Sequence, residues 1–165
     1  RDDGIKPEIG DIEPNFFNTT FTNYEMVATE NGKVFRFDNR IHRVIKTDKT
    51  LLKQLMTILF DNALKYTDED GVIELTISAN DRNLFLKVSD NGPGISTADK
   101  KKIFDRFYRV DKARTRQTGG FGLGLSLAKQ ITEALKGTIA VKDNKPKGTI
   151  FEVKIAIRTD NKKKK

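Results

Sequence analysis

"VIELTISANDRNLFLKVSDNGPG", residues 72–94, contains two runs of alternating apolar and polar side chains separated by the turn "NDRN". Successive side chains of a strand point to opposite faces, so residues 72–79 and 84–89 read as a hairpin with one buried face. Asp90 follows the second run, and "DNGPG" then turns the chain sharply, with Gly92 and Gly94 flanking Pro93. A carboxylate at a strand end accepts hydrogen bonds without donating, which suits an exocyclic amine. An ordinary Asx turn accounts for the same residues. On this stretch alone both readings stand.

The hairpin is preceded by a helix. Asp48 is placed to cap it, and Leu51, Leu55, Ile58, Leu59, Asn62 and Tyr66 fall on one face. In "LFDNALKYT" Asn62, Lys65 and Tyr66 stand at i, i+3 and i+4, so one face offers an amide, an ammonium and a phenol ring. An asparagine within an apolar stripe costs stability unless it finds a partner. Its carbonyl suits hydrated Mg²⁺, a hard cation that prefers oxygen. Lys65 suits phosphate, and Tyr66 suits the face of a base. The competing reading is a core helix with a polar end. Further back, Phe16, Phe17, Phe21, Tyr24 and Ala28 predict a helix over residues 15–30. "KVFRFDNRIHRVIK" (33–46) predicts two short strands around the turn "DNR", and the polar residues 1–14 read as a lead-in.

After the hairpin, "STAD" (96–99) has capping-box spacing and predicts a short helix reaching Phe107. Residues 108–118 are basic and without period, as in a loop. "QTGGFGLGLSLAKQI" (117–131) then crowds glycines just before a helix carrying Leu123, Leu127, Ile131 and Leu135 and stopped by Gly137. It lacks the lysine of a Walker A loop and the strand and spacing of a dinucleotide fingerprint. Free amides at a helix N-terminus make an anion site, and a hinge explains the glycines equally well. "TIAVKD" (138–143) and "TIFEVKIAI" (149–157) close the chain as a second hairpin. Strand pairs with helices between them predict one α+β domain, a two-layer sandwich whose mixed, mostly antiparallel sheet is covered by helices on one face.

Composition bounds the function. The 165 residues suit one domain, and 33% charged against 36% hydrophobic reads as soluble and globular. There is no cysteine and a single histidine, His42, which excludes disulfides, thiolate metal sites and multi-histidine metal sites. The absence of cysteine agrees with an intracellular setting. Half of the net charge of +8 sits in residues 162–165, a run read as a solvated tail, so nucleic acid is not expected as a partner. The opening "RDDGIKPEIG" reads as a cut within a longer protein.

Four motifs occur in order: N-x-x-K-Y at Asn62, D-x-G-x-G at Asp90, F-x-R-F-Y-R at Phe104, and G-x-G-x-G at Gly120. Together they resemble the catalytic, ATP-binding domain of sensor histidine kinases, in the superfamily shared with DNA gyrase, Hsp90 and MutL. The likeness runs over roughly residues 10–158. It implies the Bergerat ATP-binding fold over residues 15–158, a lid at about 96–118 and a basic tail at 159–165. The residues 1–14 would then lead in from a phosphoacceptor and dimerisation domain.

By this resemblance the cofactors are ATP and Mg²⁺. Asn62 faces the metal, Lys65 meets phosphate and Tyr66 lines the base. Asp90 binds adenine N6, Gly92, Gly94 and Ile95 line its pocket, and Thr149 joins the water network of Asp90. Phe104 and Phe107 anchor the lid, from which Arg109 and Arg114 or Arg116 reach the phosphates. Gly120, Phe121, Gly122, Leu123 and Gly124 form the phosphate wall. No catalytic residue is expected in this chain, because the γ-phosphate would pass to a histidine on the dimerisation domain and then serve a response regulator. The implied parent is a membrane-anchored homodimer with this domain in the cytoplasm. His42, without an acidic neighbour, is read as a surface residue.

Two positions depart from the family pattern. A second asparagine is usual four residues before Asn62, where this chain has Ile58; a small residue is usual between the glycines, where it has Phe121. In the gyrase and MutL branches a glutamate stands at the position of Ile58, and isoleucine cannot act as a general base. The pocket therefore reads as one that holds ATP for transfer. The alternative is a nucleotide-sensing interaction module without phosphotransfer.

Overall fold

The computed structural model describes residues 4–108 and 124–159. Its elements, in chain order, are β1 (Gly10–Ile12), α1 (Pro14–Glu30), β2 (Val34–Asn39), β3 (Ile45–Thr47), α2 (Lys49–Tyr66), β4 (Val72–Ala79) and β5 (Asn83–Asp90). They continue with α3 (Thr97–Lys100), α4 (Gly124–Ala134), β6 (Thr138–Asp143), β7 (Thr149–Ala156) and β8 (Arg158–Thr159). Five strands form one mixed sheet in the order β2-β4-β5-β7-β6, antiparallel except for the parallel pair β2 and β4. The expected two-layer α+β architecture is present.

Alternation decides which face is buried. Ile73, Leu75 and Ile77 of β4, Leu84, Leu86 and Val88 of β5, and Phe151, Val153 and Ile155 of β7 are all buried, while Glu74, Phe85, Lys87 and Lys154 are exposed. Against that face lie α1, over β2, α2, over β4 and β5, and α4, over β6 and β7 and packed alongside α2. α1 adds Phe17, Phe21 and Tyr24 to an aromatic group with Phe35, Phe37 and Phe60, in which Tyr24 stacks on Phe60 at 4.3 Å. The fully buried side of α2 is Leu52, Leu55, Met56, Leu59, Phe60 and Ala63. Leu51, Ile58, Asn62 and Tyr66 are half-buried along its margin.

Three local expectations are corrected. The turn expected at "DNR" lies further on: β2 runs through Asp38 and Asn39 and lies parallel to β4, whereas β3 begins only at Ile45 and joins β1 and β8 in a small second sheet. Parallel pairing buries Phe35 beneath α1 and needs a long crossover, which β3 and α2 supply. His42 consequently lies exposed on the connection between β2 and β3, not in a strand. Residues 10–12 of the supposed lead-in form β1, and Ile12 is fully buried. Asp48 explains how that segment is held. Its carboxylate caps α2 by accepting from the Leu51 amide at 2.9 Å and also accepts from the Glu8 amide at 2.8 Å. Finally, the helix begun by Ser96, which accepts from the Asp99 amide at 3.1 Å, ends at Lys100 and continues as turns.

Candidate functional site

The site begins at the last residue of β5. Asp90 is 6% exposed, and its carboxylate accepts from the Gly92 amide at 2.9 Å and from the Thr149 backbone amide. Burial pushes its pKa above the ordinary 3.8, and these two donors oppose the rise. Thr149, also buried, is the cross-strand partner of Asp90 on β7. The sequence therefore places an acceptor and a hydroxyl on neighbouring strands through register alone.

The loop after Asp90 is drawn against the end of α2. A Cβ on Gly92 would lie 2.6 Å from the Tyr66 carbonyl oxygen, so a side chain there would push the loop from the helix. Gly94 takes φ +85°, beside Gly148. Ile95 is half-buried against the core, and its carbonyl accepts from the Lys100 ammonium at 2.9 Å. Lys100 also pairs with Asp143 at 2.7 Å, which ties this loop to β6. Of the two phenylalanines expected to anchor a lid, Phe104 packs edge-on to Phe151 at 6.2 Å, whereas Phe107 is 63% exposed and lies outside the core.

Asn62 and Tyr66 lie half-buried on the margin of α2, with Lys65 exposed beside them. Ile58, one turn before Asn62, faces the start of α4: a Cβ on Gly124 would lie 3.6 Å from its Cγ2. An apolar residue there packs against the helix that opens with the last glycine of the run. Arg109, Arg114, Gly120, Phe121, Gly122 and Leu123 lie outside the described residues.

Two residues around Asp90 escaped the sequence reading. Asn144, in the turn between β6 and β7, donates from Nδ2 to the Asp90 carbonyl oxygen at 2.8 Å. Gly148, at φ +115°, passes so near that a Cβ would fall 1.9 Å from the same oxygen. The turn "NKPKG" advertises itself in the sequence. Which strand end it reaches depends on β5–β7 pairing.

The fold, and a buried carboxylate closed in by glycine turns beside a helix bearing an amide, define a class. The chain belongs to the histidine kinase-, DNA gyrase B-, and HSP90-like ATPase family, whose model matches residues 47–159. It is an ATP-binding domain of the sensor histidine kinase type. Over its whole length it is 79% identical to the sensor protein CiaH of Streptococcus pneumoniae serotype 4, of which it spans 37%. Among solved structures it resembles full-length ShkA in complex with AMPPNP. The TM-score is 0.79 at 25% identity, over 95% of this chain and 33% of that one. It also resembles the histidine kinase ThkA in complex with the response regulator TrrA, with TM-score 0.72 at 26% identity, over 91% of this chain and 42% of that one.

Proposed function

We propose that this chain binds Mg-ATP between α2, the loop after β5 and the start of α4, and donates the γ-phosphate to a histidine on a separate dimerisation domain. The observation that carries the reading is Asp90, an acceptor held buried and ionisable at a strand end, opposite Thr149 and against the C-terminal end of α2. A carboxylate so placed selects an exocyclic amine such as adenine N6. Gly92, Gly94 and Ile95 form the wall beside it, and Tyr66 covers the base. Lys65, Arg109 and Arg114 neutralise phosphate. Gly120, Phe121, Gly122, Leu123 and Gly124 lead into α4, whose N-terminal amides suit phosphate oxygens. The unit is residues 15–158, with residues 96–118 as its lid.

Mg²⁺ fits this arrangement as a nucleotide-borne ion. Among the described residues no cluster of three or more His, Cys, Asp or Glu side chains could hold a metal. Mg²⁺ bound chiefly by phosphates and waters needs no such cluster, and the Asn62 carbonyl supplies one oxygen. When bound, the ion offsets phosphate charge. Asn62 orients it and Ile58 contributes no ligand.

The parent protein, on this reading, is a membrane-anchored homodimer with this domain in the cytoplasm, and it phosphorylates a response regulator. Calorimetry with a nonhydrolysable ATP analogue tests the pocket: saturable binding to the wild type, and at least about tenfold weaker binding to Asp90→Asn, are expected. A flat titration refutes it. Supplying the cognate histidine-bearing domain with labelled ATP tests transfer. One observation favours the alternative, a nucleotide-sensing module: Ile58 replaces a polar pocket residue with packing against α4. Absence of phosphohistidine on a domain that docks would select it.

A further inference from the structure

Among the described residues two buried side-chain hydroxyls have no hydrogen-bond partner, Thr47 Oγ1 and Thr67 Oγ1. Thr47 lies in the small sheet, facing a cleft beside the C-terminal end of α4. Thr67 lies at the nucleotide site. It is the first residue after α2, 1% exposed, extended at φ −98° and ψ 137°, with its amide donating to the Ala63 carbonyl at 3.0 Å.

Its surroundings leave it little freedom. A Cβ on Gly71 would fall 2.0 Å from Thr67 Cγ2, so the methyl group is held against that turn. On the other side, Thr67 Cα and the Asp90 Oδ1 atom lie 3.4 and 3.1 Å from the point a Gly92 Cβ would occupy. Thr67 thus sits between two glycine turns: its methyl group meets the Gly71 turn, and its Cα borders the Gly92 turn into which the Asp90 carboxylate is folded. A hydroxyl removed from water without a hydrogen bond is a cost that valine, of the same shape, would not carry. A threonine at this place is accounted for by a partner that arrives with the ligand.

We propose that Thr67 is a positioning residue for the purine: its hydroxyl shares a bridging water with the Asp90 carboxylate and the edge of the base. This rests on the nucleotide reading above and adds a residue to it. The carboxylate fixes the amine, and the hydroxyl holds the water that keeps carboxylate and ring in one plane. The effect concerns the base and leaves the phosphates untouched.

Thr67→Val and Thr67→Ser in the full chain test this by thermal unfolding without nucleotide and by calorimetry with ATP and with tripolyphosphate. Expected are an unfolding temperature for Thr67→Val equal to or above wild type, ATP affinity lowered about five- to tenfold, recovery of that affinity in Thr67→Ser, and unchanged tripolyphosphate binding. In the Asp90→Asn background Thr67→Val should have a smaller effect, since both groups act on one water. Wild-type ATP affinity in Thr67→Val overturns the proposal while leaving the pocket intact. So does a lowered unfolding temperature with weakened binding that serine does not restore, which marks Thr67 as scaffold. Failure of the wild type to bind ATP instead refutes the nucleotide reading itself.

Discussion

Gly148 passes the Asp90 carbonyl at a distance that admits no side chain: a Cβ there would stand 1.9 Å from the oxygen, on backbone at φ +115°. The turn between β6 and β7 is thereby seated on the end of β5, and Asn144 bonds the same oxygen. The residue at the centre of the candidate site is thus held, through its backbone carbonyl, by a loop more than fifty residues away in the chain.

Gly148→Ala should therefore damage site and fold together. Steric displacement and an unfavourable φ are expected to cost roughly 2–4 kcal/mol, larger than an ordinary surface change. Thermal unfolding would show the loss, and amide shifts at Asp90 and Gly92 would show that the loop had moved. Asn144→Ala should cost less, about 1 kcal/mol for one hydrogen bond.

Asp90 predicts opposite pH trends for the empty and loaded chain. Burial raises its pKa above 3.8 in the folded state. The folded chain then binds the proton more tightly than the unfolded chain, so this residue's contribution to stability is full below 3.8 and is lost as pH rises through the folded pKa. On the proposed reading of Asp90, nucleotide binding needs the ionised form and should weaken as pH falls through the same interval. Comparing wild type with Asp90→Asn isolates both effects, since the variant lacks the titrating group. Parallel trends for stability and affinity would contradict the assignment.

Tyr24 makes an alkaline prediction independent of function. Burial, partly offset by its 2.6 Å hydrogen bond with Thr57 and reinforced by Asp61, pushes its pKa up to about 12. The neutral phenol is the folded form, so stability is retained below pH 10 and lost as pH rises from there through about 12. Tyr24→Phe should flatten that loss, at a cost near neutrality of about 0.5–1.5 kcal/mol for the hydrogen bond. Unfolding midpoints at pH 8 and above about 10 in both proteins provide the check.

Ile58→Asn restores the polar residue usual in the family. Ile58 packs half-buried against the start of α4, so the change should cost about 1–2 kcal/mol in the empty chain. If the position borders the metal, ATP affinity should depend more steeply on Mg²⁺ in the variant than in wild type. Unchanged Mg²⁺ dependence would place Ile58 in the packing alone.

The elements that carry the site were legible because they are local. Alternation over residues 72–79 and 84–89 predicted β4 and β5, Asp48 predicted the start of α2, and the D-x-G-x-G motif pointed to Asp90. Each rests on a period or a cap that a few neighbouring residues complete. The polar face of α2 was legible too, although the helix buries Leu52, Met56 and Phe60 and leaves Ile58 and Asn62 at the margin. A stripe of apolar residues gives a face, and the neighbours decide how far the helix is rotated.

Sequence by itself determined the long helices α1, α2 and α4, the strands β4 to β7, their order, and the chemical kinds of group at the strand and helix ends. Tertiary structure alone decided that β2 pairs with β4 in parallel while β3 leaves for another sheet, that Gly148 and Asn144 hold Asp90, and that Thr67 is sealed beside it. The physical reason is range. Local periodicity is written in a few consecutive residues. Strand pairing across long connections is settled by which apolar faces can be buried together, and the tight contacts between turns follow from that choice.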